Sequence, residues 1–251
     1  MLSRTTPESP AHSAGIADAL MLVLLDNASA RPSLDRTRRR RAVAAAALLD
    51  LAAACRIRPA GTDDPAPEGT LVVLAGPEVH DPIATPALDA LTRRPMTPGA
   101  AISELARHTE DRLLAALVES GLVVEIRLQP SVSGPAGIAG RRPRRSDRYA
   151  WLLTDRGPSA AVRDELLAVL VDGEPVRPAT AALISLLHAV DGLRELLSLE
   201  PRAWPTVELM AAEIASGGWV LGSPQSPTEP EPTLAEVNLA VTTAAVCSAL
   251  R

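Results

Sequence analysis

Apolar residues run along this chain in blocks whose spacing is mostly that of helices. Residues 16–26 form the first, a short apolar helix closed by the Asp26-Asn27 turn signal. Residues 31–34 lead into a long helix from about 35 to 55. Its second half, 42–54, is apolar nearly all round, the pattern of a helix buried on most sides. Pro, Asp and Gly crowd 59–69 into a loop, and the β-branched 70–74 reads as a short strand. Amphipathic spacing predicts helices over 82–94, 98–108 and 109–120, the last stopped by Gly121. The period then changes to two. Residues 122–128 alternate as a strand, and 148–154 supply the hairpin partner across a Gly/Pro/Arg loop at about 130–147 that is expected to be mobile. Helices follow at 159–171, 178–197, 204–215 and 234–250, with a Pro/Glu-rich loop at about 222–233 before the last. Residues 1–14, rich in Ser, Thr and Pro, read as a disordered tail, and no internal repeat is evident. The prediction is a mainly α protein: one multi-helical, bundle-like domain over 15–251 with a buried central helix and a projecting β-hairpin.

Composition sharpens this picture. At 251 residues the chain can bury a substantial core. It is 47% apolar but only 2% aromatic, with no Phe, so Ala, Leu, Val and Ile must build that core, which suits close helix packing. A net charge of −5 argues against a general nucleic-acid-binding protein. All positive side chains are Arg, which genome base composition explains better than a need for bidentate anion contacts does. The longest apolar stretch, 42–54, is interrupted by Asp50 and is far shorter than the ~20 residues a membrane span needs. No secretory signal is expected, and a cytoplasmic protein, peripheral at most at the inner membrane face, is. Cys55 and Cys247 lie in apolar runs without metal-binding spacing and read as reduced core residues.

Candidate chemistry is sparse. His12, His80, His108 and His188 assemble no metal spacing, and no nucleophile elbow, P-loop or dinucleotide-binding glycine motif is present, so neither an enzyme, a cofactor nor a metal is expected. Two arginine clusters stand out. Arg36, Arg38, Arg39, Arg40 and Arg41 crowd the first turns of the long helix, where cations oppose the helix dipole by roughly 0.3–1 kcal/mol each. An anion nearby would relieve that, because free N–H groups and guanidinium forks together bind phosphate well. The bland reading is a solvated basic face countered by Glu or Asp elsewhere, or a helix that starts later. The second cluster, Arg141, Arg142, Arg144, Arg145 and Arg148, lies in and after the hairpin loop. It reads equally as an arm towards anionic membrane or a solvated tip. Asp50, alone in an apolar helix, needs a partner, for which Arg56 and Arg112 are candidates in a structural salt bridge.

Four blocks carry a family resemblance: ALMLVLLD at 19–26 followed by ALLDLAAACRI at 47–57; the strand and His80-Asp81-Pro82 leading to ALDAL at 87–91; RLLAALVESGLV at 112–123 before the hairpin; and TAALISLLHAVDGLRELL at 180–197. In this order and spacing the chain resembles the Golgi phosphoprotein 3 family, in its actinobacterial branch, from Ile16 onward. The resemblance implies an α-helical fold with a projecting hairpin and a non-enzymatic, peripheral membrane adaptor that binds phosphatidylinositol 4-phosphate. The family's headgroup site combines a Trp and an Arg near the start of the first long helix with two Arg on the helix before the hairpin. Laid onto this sequence these fall near Asp35, near Ala44, on Arg107 and on Glu110, so Arg107 alone matches. The expected headgroup site is therefore Arg38, Arg39, Arg40, Arg41 and Arg107, with an anionic phospholipid headgroup as partner.

Two other readings compete. A scaffold without lipid would bind a protein partner, or a second copy, through the hairpin. A winged-helix DNA-binding regulator is imitated by 109–121, the strands and the basic loop. Its recognition helix would, however, turn Glu110, Asp111 and Glu119 towards phosphates, so no nucleic acid is expected.

Overall fold

A computed structural model describes residues 15–77, 79, 81–128, 149–219 and 232–251. Everything is arranged around helix α2, Arg36–Ala53. Asp35 starts it as N-cap, its Oδ1 accepting from the N–H groups of Thr37 and Arg38 at 2.9 and 3.2 Å. From Ala42 to Leu49 every side chain is buried, and four alanines, Ala42, Ala44, Ala45 and Ala46, are wholly so. Such small residues let neighbouring helices approach closely. Around α2 pack α1 (Ile16–Leu25), α3 (Ala84–Arg93), α4 (Pro98–Leu105) and α5 (Thr109–Glu119). The later helices that join them are α7 (Pro178–Ala189) and α10 (Leu234–Leu250). Among the described residues, helices α6 (Gly157–Leu170), α8 (Leu193–Leu196) and α9 (Trp204–Ala215) complete the set of α-helices, α6 against α1 and α9 against α7. The mainly α architecture with a buried central helix is thus observed.

The predicted hairpin is present: β3 (Val123–Arg127) and β4 (Tyr149–Leu153) pair antiparallel from Val123–Leu153 to Arg127–Tyr149. Its inner residues Val123 and Trp151 are buried, and the Trp151 N–H donates to the Ala30 carbonyl at 2.8 Å, tying β4 to the α1–α2 connection. Val124, Ile126 and Leu152 are exposed together on the outer face. A second two-stranded sheet was not anticipated: β1 (Ile57–Pro59) pairs with β2 (Leu71–Val73), and Leu71 also bridges to Met96. Expected helix 178–197 is broken, because Asp191 takes a left-handed φ of 52° and Gly192 follows it, ending α7 before α8.

Two further expectations change. Among the described residues Asp50 makes no arginine salt bridge. Its carboxylate accepts from the N–H groups of Ile16 at 2.6 Å and Ala17 at 3.0 Å, capping the start of α1, where Gly15 has no side chain to do so. The approach is close: a Cβ on Gly15 would stand 3.0 Å from both Asp50 oxygens. Cys247 is buried as expected, and burial pushes its thiol up to about 12. Cys55 is half-buried, past the end of α2, with a φ of 51°. The tail, the 130–147 and 222–231 loop residues, the second arginine cluster and His80 lie outside the described residues.

Helix α10 runs antiparallel along α2. Near its start the Asn238 side chain donates to the carbonyls of Ala52 and Ile57 at 2.8 and 2.9 Å. Near its end the Arg41 guanidinium donates to the Ala249 carbonyl at 2.8 Å.

Candidate anion-binding groove

Because Asp35 fixes where α2 begins, the 100° step per residue decides where each arginine goes. Arg36, Thr37, Arg40 and Arg41 fall on one flank, Arg38 beyond it, and Arg39 on the opposite side. Arg39 is 7% exposed. It donates through Nε to Glu110 Oε1 at 2.7 Å, and through its Nη1 to the carbonyls of Pro32 at 3.2 Å and Leu34 at 2.8 Å. Arg38 is held by its own N-cap Asp35, by Glu195 of α8, and by the Val190 carbonyl at the end of α7. The guanidinium beside Asp35 keeps that carboxyl below the usual carboxylate range. Both arginines are structural ties between elements and do not face the groove.

The groove itself is shallow, about 280 Å³, and lies between the first turns of α2 and the turn joining α4 to α5. Arg36, Thr37, Arg40, Arg41, Ala106 and Arg107 line it. Arg40 shares Glu110, bonding Oε2 at 3.1 Å, and comes within 3.7 Å of Asp111. Among the described residues Arg41 bonds only the neutral Ala249 carbonyl. Arg36 and Arg107 are exposed and have no side-chain hydrogen bond or ion pair among the described residues. Three arginines, Arg36, Arg41 and Arg107, therefore line one depression without a carboxylate partner among the described residues. Desolvated or not, such forks offer paired donors that match phosphate oxygens.

Of the five residues expected from sequence, Arg40, Arg41 and Arg107 are brought together here; Arg38 and Arg39 are not. Arg36, noticed in the cluster but not placed among the site residues, belongs to the groove. Its i, i+4 relation to Arg40 was the available signal. Two family positions are also explained. Ala44 is wholly buried inside the bundle. Glu110, expected on an exposed face of α5, is buried and serves as counter-ion to Arg39 and Arg40. A larger cavity of about 560 Å³ lies where α1, α7 and α10 begin, with Ile16, Leu183 and Leu239 in its wall. Its Glu165 is already bound by Arg177 and Thr180. Among the described residues no group of three or more His, Cys, Asp or Glu converges as for a metal ion. None of the described helices is long and apolar enough to cross a membrane.

The family model for Golgi phosphoprotein 3 matches residues 16–225. The chain belongs to the Golgi phosphoprotein 3 family. The match takes in α2, the groove and the hairpin, and ends before α10. A comparison with curated proteins gave no match. Glu110 stands at one position where the resemblance implies an arginine, and Arg36 and Arg41 are among the residues that line the groove.

Proposed function

We propose that this protein is a non-enzymatic, peripheral membrane adaptor that holds a phosphate-bearing lipid headgroup in the groove of Arg36, Arg40, Arg41 and Arg107. The observation that carries the reading is that three arginines lacking carboxylate partners among the described residues line one depression of about 280 Å³. That volume suits a phosphorylated headgroup, and family membership points the same way. A phosphoinositide is the favoured headgroup and the inner membrane face the favoured location. The test is flotation with phosphatidylcholine vesicles carrying phosphatidylinositol 4-phosphate, phosphatidylinositol or cardiolipin. Wild type floats with the phosphorylated or dianionic lipid, and Arg36→Glu/Arg41→Glu/Arg107→Glu does not. Flotation of the triple variant as wild type would reject the groove. Reversing Arg39 is uninformative, since it removes the counter-ion of Glu110.

The hairpin favours a second reading that is compatible with the first. Val124, Ile126 and Leu152 are 49%, 39% and 43% exposed on one face, an apolar patch that would form one part of a wider contact with a protein partner or a second copy. Sedimentation of Val124→Glu/Leu152→Glu against wild type would detect a self-association that uses it.

A further inference from the structure

The outer face of α10 is uncharged from end to end. Leu234, Val237, Val241, Ala244 and Ser248 are exposed at a spacing of three and four, spanning about 21 Å at 1.5 Å per residue. Leu234 is 81% exposed and Val241 53%. The one charged residue within the helix, Glu236, is turned back on its own N-cap, accepting from the Thr233 N–H at 2.6 Å and its hydroxyl at 2.9 Å. At the other end the Arg41 bond to Ala249 places the cationic groove beside the helix's last turn. The groove therefore lies beside the turn in which the uncharged stripe ends.

We infer that the outer face of α10 lies against an anionic bilayer, with Leu234, Val237 and Val241 entering the boundary between headgroups and acyl chains. The inference rests on the headgroup reading of the groove and adds a second element to it. Charge complementarity selects this occupant: guanidinium groups meet phosphate at one end, and the stripe offers apolar surface with no charge to desolvate. Area argues against a second copy of the chain. Five side chains, two of them small, are far fewer than the roughly 20–30 residues a side of a stable protein interface. The inner face of the helix is already committed, Leu239, Val246, Cys247 and Leu250 being buried in the bundle.

Vesicles of phosphatidylcholine with a minority of phosphatidylglycerol test the inference by flotation, alongside thermal melts and sedimentation. Val237→Glu/Val241→Glu should melt with wild type, since both positions are exposed, and should lose about ten-fold or more in vesicle partition. Val241→Trp, which adds an interfacial side chain, should gain partition. If the glutamate variant floats as wild type while the groove variant does not, the α10 inference fails and the groove reading stands. If the glutamate variant turns a dimer into a monomer at unchanged flotation, the stripe is a protein interface and the inference is overturned. If the groove variant floats as wild type and the α10 variants alone change partition, the groove reading fails and α10 remains the membrane contact. If wild type floats with no anionic vesicle, both are rejected.

Discussion

Asp50 places a carboxylate from the middle of α2 under the first turn of α1, where Ile16 and Ala17 donate to its two oxygens. Burial pushes this carboxyl up to about 7; the two N–H donors oppose the shift and the charges of Asp18 and Asp81 add to it. In the unfolded chain the group returns to an ordinary carboxylate value of about 3.9. Between those values the folded protein holds a proton that the unfolded chain has released. The stability this contributes is complete below about pH 4 and is lost as pH rises through about 7, on the order of a few kcal/mol in all. Denaturant melts of wild type and Asp50→Asn at about pH 5 and about pH 8 should therefore diverge, wild type losing ground at the alkaline end while the asparagine variant does not titrate. Parallel profiles would show that the carboxylate stays ionised under its two donors. In the sequence, Asp50 announces only that a buried charge needs a partner. That backbone N–H groups fill the role follows from Gly15, which leaves α1 uncapped, and from the packing of α1 across α2, which no local pattern displays.

At the scale of elements, the arginine run of α2 is a docking device before it is a site. Arg39 joins three pieces: α2 itself, α5 through Glu110, and the connection at Pro32 and Leu34 through their carbonyls. Removing it leaves the Glu110 carboxylate, with its side chain 8% exposed, to Arg40 alone. Arg39→Ala should thus cost about 3 kcal/mol in urea melts, towards the lower end for a broken buried pair because Arg40 remains. Arg107→Ala, at an exposed and unpartnered position, should stay within about 0.5 kcal/mol of wild type. Equal costs would mean the division into structural and groove arginines is wrong. The helices themselves were legible: α2 from its all-round apolar half, and the β3–β4 pair from its alternation. Strand β1 was not, since three residues that include Arg58 and Pro59 carry no period, and only the register with Leu71–Val73 makes them a strand. The groove was half legible. A cluster of five arginines is plain in the sequence, but which of them turn outward depends on Glu110 and Glu195, carboxylates 71 and 157 residues away along the chain from the arginines they bind.

For the whole molecule, the proposed headgroup role sets the groove against the chain's own charge of −5. At physiological ionic strength the Debye length is about 8 Å, so a bilayer approaching Arg36, Arg41 and Arg107 feels the groove and little of the acidic remainder. Near 0.01 M salt screening extends to about 30 Å, which takes in most of a domain this size, and the net negative charge then repels the same surface. Towards 1 M, where the length is about 3 Å, the groove's own attraction is screened as well. Binding to anionic vesicles should accordingly pass through a maximum at intermediate salt, in contrast to the steady decline with salt of a protein basic overall. Flotation across that range measures it directly. Arg36→Glu/Arg41→Glu/Arg107→Glu should abolish the maximum at every ionic strength. Val237→Glu/Val241→Glu should lower it while keeping its position, because the salt dependence belongs to the groove and the apolar contact along α10 adds a term that salt barely touches. A monotonic decline in wild type would mean that some larger basic surface, and not this groove, meets the membrane first.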